Sequence, residues 1–153
     1  MARRPVHTFD FSKSIDNWVK QTDQRIEAVF KLSATELLRT AQRNVPVDTG
    51  FLRSSLMVSV NGEVPPANRS QGAPRPGPNI SVVINGAKLG DTIVAGYTAN
   101  YALFVEYGTS KMAPRRYLGR AVAQWPQIVE RVTIAAKNVT LGGFARISYP
   151  AEE

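Results

Sequence analysis

The stretch Val45-Pro46-Val47-Asp48-Thr49-Gly50-Phe51-Leu52-Arg53-Ser54-Ser55-Leu56 divides the chain into two unlike parts. Before it lies one long helical pattern; after it come short strand-like runs. Pro46 cannot continue a helix, because its ring clashes with the preceding turn and it has no N–H to donate. Val45, just before it, is pushed toward extended geometry. Asp48 is placed to cap a turn through backbone N–H groups two or three residues on, and Gly50 reaches positive φ without strain. The stretch reads as a helix stop, a corner and the start of a strand.

Toward the N-terminus, apolar residues fall at Phe11, Ile15, Trp18, Val19, Ile26, Val29, Phe30, Leu37, Leu38, Ala41 and Val45. Gaps of mostly three, four and seven are helical periodicity. One helix over 12–44 would be roughly 50 Å long, more than a small domain covers by itself. Part of its stripe is therefore expected to meet another subunit. The competing reading is a break near Leu32-Ser33, where Ser33-Ala34-Thr35-Glu36 resembles a capping box. Residues 1–10 read as an N-terminal arm.

Toward the C-terminus, Ser54 to Val60 alternates as a half-buried strand does, and Asn61-Gly62 ends it. Residues 62–78 hold five of the ten prolines, with Arg69 and Arg75 among them. A loop so long reads as a docking arm for a partner or as plain surface loop. The β-branched runs Asn79–Asn85 and Asp91–Thr98, joined by turn residues, predict an antiparallel hairpin. Asn100–Tyr107 fits either a short helix or a buried strand. Pro114 suits the first turn of a helix. Tyr117, Leu118, Ala121 and Val122, then Ile128, Val129, Val132 and Ala136, carry helical spacing to about Lys137, with a kink or restart at Pro126. Residues 138–153 form a tail, read as an edge strand or an arm reaching a neighbour. The expected fold is α+β: a long N-terminal and a C-terminal helix on an antiparallel sheet of three to four strands, all in one domain, 1–153.

Composition narrows the chemistry. With no cysteine, disulfides and thiolate metal sites are excluded. The single histidine, His7, leaves little for a zinc site or a histidine base, so no metal, cofactor or catalytic residue is assigned. No apolar run approaches the ~20 residues of a membrane span. Nineteen Lys and Arg against twelve Asp and Glu give a formal charge of +7, which favours acidic partners, nucleic acid or protein.

Asp48-Thr49-Gly50 has the letters of the aspartic-protease triplet, but a helix and Pro46 precede it where that motif needs an apolar strand. Lys111, Arg115, Arg116 and Arg120 lie within ten residues. They could meet acidic residues of a neighbouring subunit or DNA phosphates, which accept cations without sequence demand.

Two motifs then combine: Pro46-Val47-Asp48-Thr49-Gly50-Phe51-Leu52-Arg53-Ser54-Ser55-Leu56, and Tyr101-Ala102-Leu103-Phe104-Val105-Glu106-Tyr107-Gly108-Thr109 followed by Pro114, Tyr117-Leu118 and Ala121. Together, over residues 12–137, they resemble the tail-completion, or neck, family of long-tailed bacteriophages, the head–tail joining proteins also labelled minor tail components. Tyr117 stands where that family usually has Phe. The resemblance implies a non-enzymatic virion protein of the neck or proximal tail, made in the host cytoplasm and assembled as a ring of copies, six on this reading, around the DNA channel. It implies a tail terminator, a connector or the tail tube as partners. Pro46, Asp48, Thr49, Gly50, Leu52 and Ser55 would build the corner, and Tyr101, Glu106, Gly108, Thr109, Pro114, Tyr117 and Leu118 the turn beside the final helix. The competing class is a small basic nucleic-acid-binding protein.

Overall fold

The computed structural model describes residues 11–67, 70, 77 and 79–137. Arg69, Arg75 and His7, most of the Pro-rich loop, the arm before Phe11 and the tail after Lys137 lie outside the described residues. In chain order the elements are α1 (Phe11–Asn44), α2 (Phe51–Ser54), β1 (Leu56–Val60), α3 (Ile80–Asn85), β2 (Ile93–Tyr97), α4 (Ala102–Tyr107), α5 (Tyr117–Ala123) and α6 (Trp125–Lys137).

α1 is unbroken over 34 residues. Ser33-Ala34-Thr35-Glu36, the possible break, lies in mid-helix with all four residues buried. Four consecutive buried residues span a full turn, so the helix is enclosed there on every side. Ala34 and Leu38 meet Ile84 of α3, while α5 and α6 also pack on α1. The buried Glu36 carboxylate accepts from Arg43 Nη2 at 3.1 Å and faces Arg131 Nη2 of α6 at 3.5 Å.

The sheet has two strands among the described residues, not the three to four expected. β1 and β2 pair antiparallel, with Leu56 opposite Tyr97 and Val60 opposite Ile93. Asn79–Asn85, read as a strand, is helix α3. The Asn79 side chain accepts the Val82 N–H at 3.3 Å and caps it, while the fully buried Ile84 anchors it to α1. Ile80, Val83 and Ile84 share its inner face while Val82 is exposed, and burial against α1 overrides their β propensity. Phe51–Ser54, read as leading straight into a strand, first makes the helical turn α2. Pro114 precedes α5 rather than opening it. The C-terminal helical region restarts at Trp125, with Pro126 in the first turn of α6, where a missing N–H costs nothing.

The loop between α3 and β2 is tied to β1 by one carboxylate. Asp91 accepts from Asn61 Nδ2 (2.6 Å) and from the Lys88 N–H (2.7 Å). These two hydrogen bonds, Asn61's foremost, hold its pKa below the ordinary 3.8. A depressed carboxylate stabilises the fold at pH values above its unfolded pKa, and that contribution is lost as pH falls through the folded value. A carboxyl-carbon NMR titration should place the Asp91 midpoint below 3.8, and Asn61→Ala should return it toward 3.8.

Candidate functional site

The corner and the aromatic segment fold against each other. Val45, Phe51, Leu52 and Leu56 share one buried cluster with Tyr97, Ala99, Ala102 and Tyr117. Gly50 takes φ 79° and leads into α2, and the Thr49 hydroxyl accepts the Phe51 N–H at 3.4 Å. The buried Ser55 hydroxyl donates to Leu52 O (2.7 Å), and Ser55 O accepts both the N–H and the hydroxyl of Thr98. Pro46, Asp48 and Thr49 are exposed. A cleft of about 360 Å³ lies between this corner and Tyr101, Val105, Met112 and Arg115. Burial raises the Tyr101 phenol pKa. Asp48 sits on this exposed loop at the edge of the cleft, and no second carboxylate among the described residues lines the cleft to share a proton with it.

The second motif is a tight knot. Glu106 on α4 is only 7% exposed. Its two carboxylate oxygens accept the N–H groups of Leu118 (3.0 Å) and Gly119 (2.8 Å) at the start of α5. Carboxylates suit this place, where N–H groups have no helical partner and the helix dipole is positive. In return the Arg115 and Arg116 N–H groups donate to Val105 O and Glu106 O at the end of α4. Gly108 (φ 79°, ψ 178°) makes the bend, and Thr109 bridges to Met112. Tyr117 is buried edge-on to Tyr97, ring centroids 5.0 Å apart, and its hydroxyl donates to Ala102 O at 3.2 Å. That acceptor is what lets a tyrosine occupy a position where phenylalanine would also fit. Burial pushes the phenols of Tyr97 and Tyr117 far up.

The sequence profile of the family described as "Bacteriophage HK97-gp10, putative tail-component" matches residues 9–108. The chain belongs to this phage tail-component family. The matched span runs through α1, the corner, both strands and α4, and ends on the Gly108 bend. The family is a structural one, of tail components rather than enzymes. No curated protein and no solved structure matches the chain. Among the described residues of this tail component no group of acidic, histidine or cysteine side chains could hold a metal ion, and no helix is long and apolar enough to cross a membrane.

Of two exposed apolar faces, the sequence anticipates the one on α1 and misses the one on α4. In α4 the usual order is inverted: the charged Glu106 is buried, while Leu103, Phe104 and Tyr107 are 60%, 57% and 73% exposed. Helical spacing of 103, 104 and 107 carried the signal, but only once the segment is known to be a helix. The other face is the first half of α1, where Ile15, Trp18, Val19 and Ile26 are exposed, Trp18 at 67%. The Glu27–Lys31 pair, which bonds Leu89 N and Asn85 O, ties α1 to the α3–β2 loop just beyond it. Lys111, Arg115, Arg116 and Arg120 are all exposed. Arg116 and Arg120 line a cleft with Tyr107.

Proposed function

We propose that this tail component is a building block of the phage neck or proximal tail. It assembles as a ring of copies, six on this reading, and joins or completes the tail. The observation that carries the reading is the apolar first half of α1. An extended stripe of Ile15, Trp18, Val19 and Ile26 in water marks an interaction surface. The arm before Phe11 and the tail after Lys137 supply further chain for contacts with a tail terminator, a connector or tail-tube proteins. Lys111, Arg115, Arg116 and Arg120 are available to acidic side chains of a neighbour or to packaged DNA.

Sedimentation of the purified full-length chain over a range of concentrations, with imaging of the products, tests this. Rings that form without DNA support it. A chain that stays monomeric and is retained on DNA, with retention falling steeply as salt rises, is instead a small basic nucleic-acid-binding protein.

A further inference from the structure

The two uncovered apolar faces lie at opposite ends of the molecule. α4 packs beside the C-terminal end of α1, where Val45, Ala102 and Tyr117 share a cluster. Trp18 is 27 residues back along the same helix, roughly 40 Å away at 1.5 Å per residue. A chain with two different sticky faces, one at each end, is built for head-to-tail contacts, which close into rings when the rotation between copies allows.

Charge favours the same pairing. On the helical wheel Ile15, Trp18, Val19, Thr22 and Ile26 form one stripe, with Asp16 and Asp23, two turns apart, along one side and Arg25 beside Trp18 on the other. The face of α4 is flanked by cations: Arg116 and Arg120 line the cleft with Tyr107, and Arg115 lines the one with Tyr101 and Val105. An acidic border on one face and a basic border on the other fix orientation and register. Pairing two α1 stripes with each other would leave α4 uncovered and the basic border unmatched.

We infer that the first half of α1 from one copy seats on the Leu103–Phe104–Tyr107 face of α4 in the next, with Asp16 and Asp23 toward the basic border. The inference rests on the ring reading above and names the contact that closes the ring.

The test is complementation between two surface variants of the full-length chain, Trp18→Glu and Phe104→Glu. Both positions are exposed, and circular dichroism checks that each variant folds as the wild type does. Each variant alone should sediment as a monomer under conditions where the wild type assembles. Mixed in equal amounts they should form a dimer and stop there, since one good α1 face meets one good α4 face. If the wild type assembles and Phe104→Glu does too, the contact joins two α1 stripes and the inference is overturned while the ring reading stands. Assembly by both variants overturns it in the same way, as does a mixture that stays monomeric. A wild type that never assembles removes the ring reading and this contact together. The cysteine-free sequence adds a second measurement: Val19→Cys mixed with Leu103→Cys should oxidise to a 19–103 link several-fold more readily than either variant does alone. Dominant 19–19 links would overturn the inference.

Discussion

Gly108→Ala is expected to destabilise the chain by about 3–4 kcal/mol and to lower its melting temperature by about 6–15 °C. At φ 79° and ψ 178° Gly108 occupies a region that side chains other than hydrogen rarely enter. An added Cβ would also sit 2.7 Å from Met112 O, 2.8 Å from Pro114 N and 3.0 Å from Pro114 Cδ. Two of these neighbours are backbone and the third is a proline ring, so no rotamer change relieves the clash. The bend must open, and with it the Thr109–Met112 bridge and the path into α5. Gly90→Ala is the internal control. Gly90 also has positive φ, at 96°, but nothing lies within 4 Å of the added Cβ, so the expected loss is only the backbone term, about 1 kcal/mol. Thermal melts of the two variants side by side check this. Equal losses would show that the backbone conformation, not the crowding under Gly108, sets the cost.

The sequence reveals elements in proportion to how locally they are determined. The 34-residue α1 repeats its pattern over many turns, so periodicity alone finds it, and Pro46 and Gly50 mark the corner by backbone restrictions any chain would feel. Residues 79–85 are the opposite case. Ile80, Val82, Val83 and Ile84 favour a strand by side-chain shape, yet the segment is a helix because Ile84 has a place against Ala34 and Leu38. The contrary signal was present, since Asn79 is an N-cap residue and Gly86 stands at the other end, but six residues give periodicity too little to work on. Losing that strand leaves β1 and β2, far apart in sequence, to pair with each other.

Much of the candidate site shows the same limit. The two motifs are visible as text, but what joins them is long-range: Glu106 bonds groups twelve and thirteen residues away. The exposed face of α4 depends on knowing that the charged residue, not the aromatic ones, points inward. The free half of α1 was legible in outline, because a helix of that length outruns any small core.

Glu106→Ala is the second large effect expected, a loss of about 2–3 kcal/mol, because it takes a charged acceptor from two N–H groups at the start of α5. A buried donor left without an acceptor costs about 1–3 kcal/mol, more where the lost partner was charged; Leu118 is half-buried, and at the exposed Gly119 water takes up part of the loss. The exposed end of α4 makes no comparable demand, so the cost is specific to the buried carboxylate. Glu106→Gln separates shape from hydrogen bonding: one amide oxygen can still accept, but the NH₂ faces a second donor, and the expected loss is about 1–2 kcal/mol. Urea unfolding with an unchanged m-value would confirm that the order is wild type, then Gln, then Ala. Alanine and glutamine variants as stable as the wild type would remove the capping role altogether. Glu106 and Gly108 hold the same crossing from α4 to α5, so their losses should not add. The Glu106→Ala/Gly108→Ala double variant should fall short of the sum by about 1–2 kcal/mol, since a bend already opened no longer presents Leu118 and Gly119 to the carboxylate.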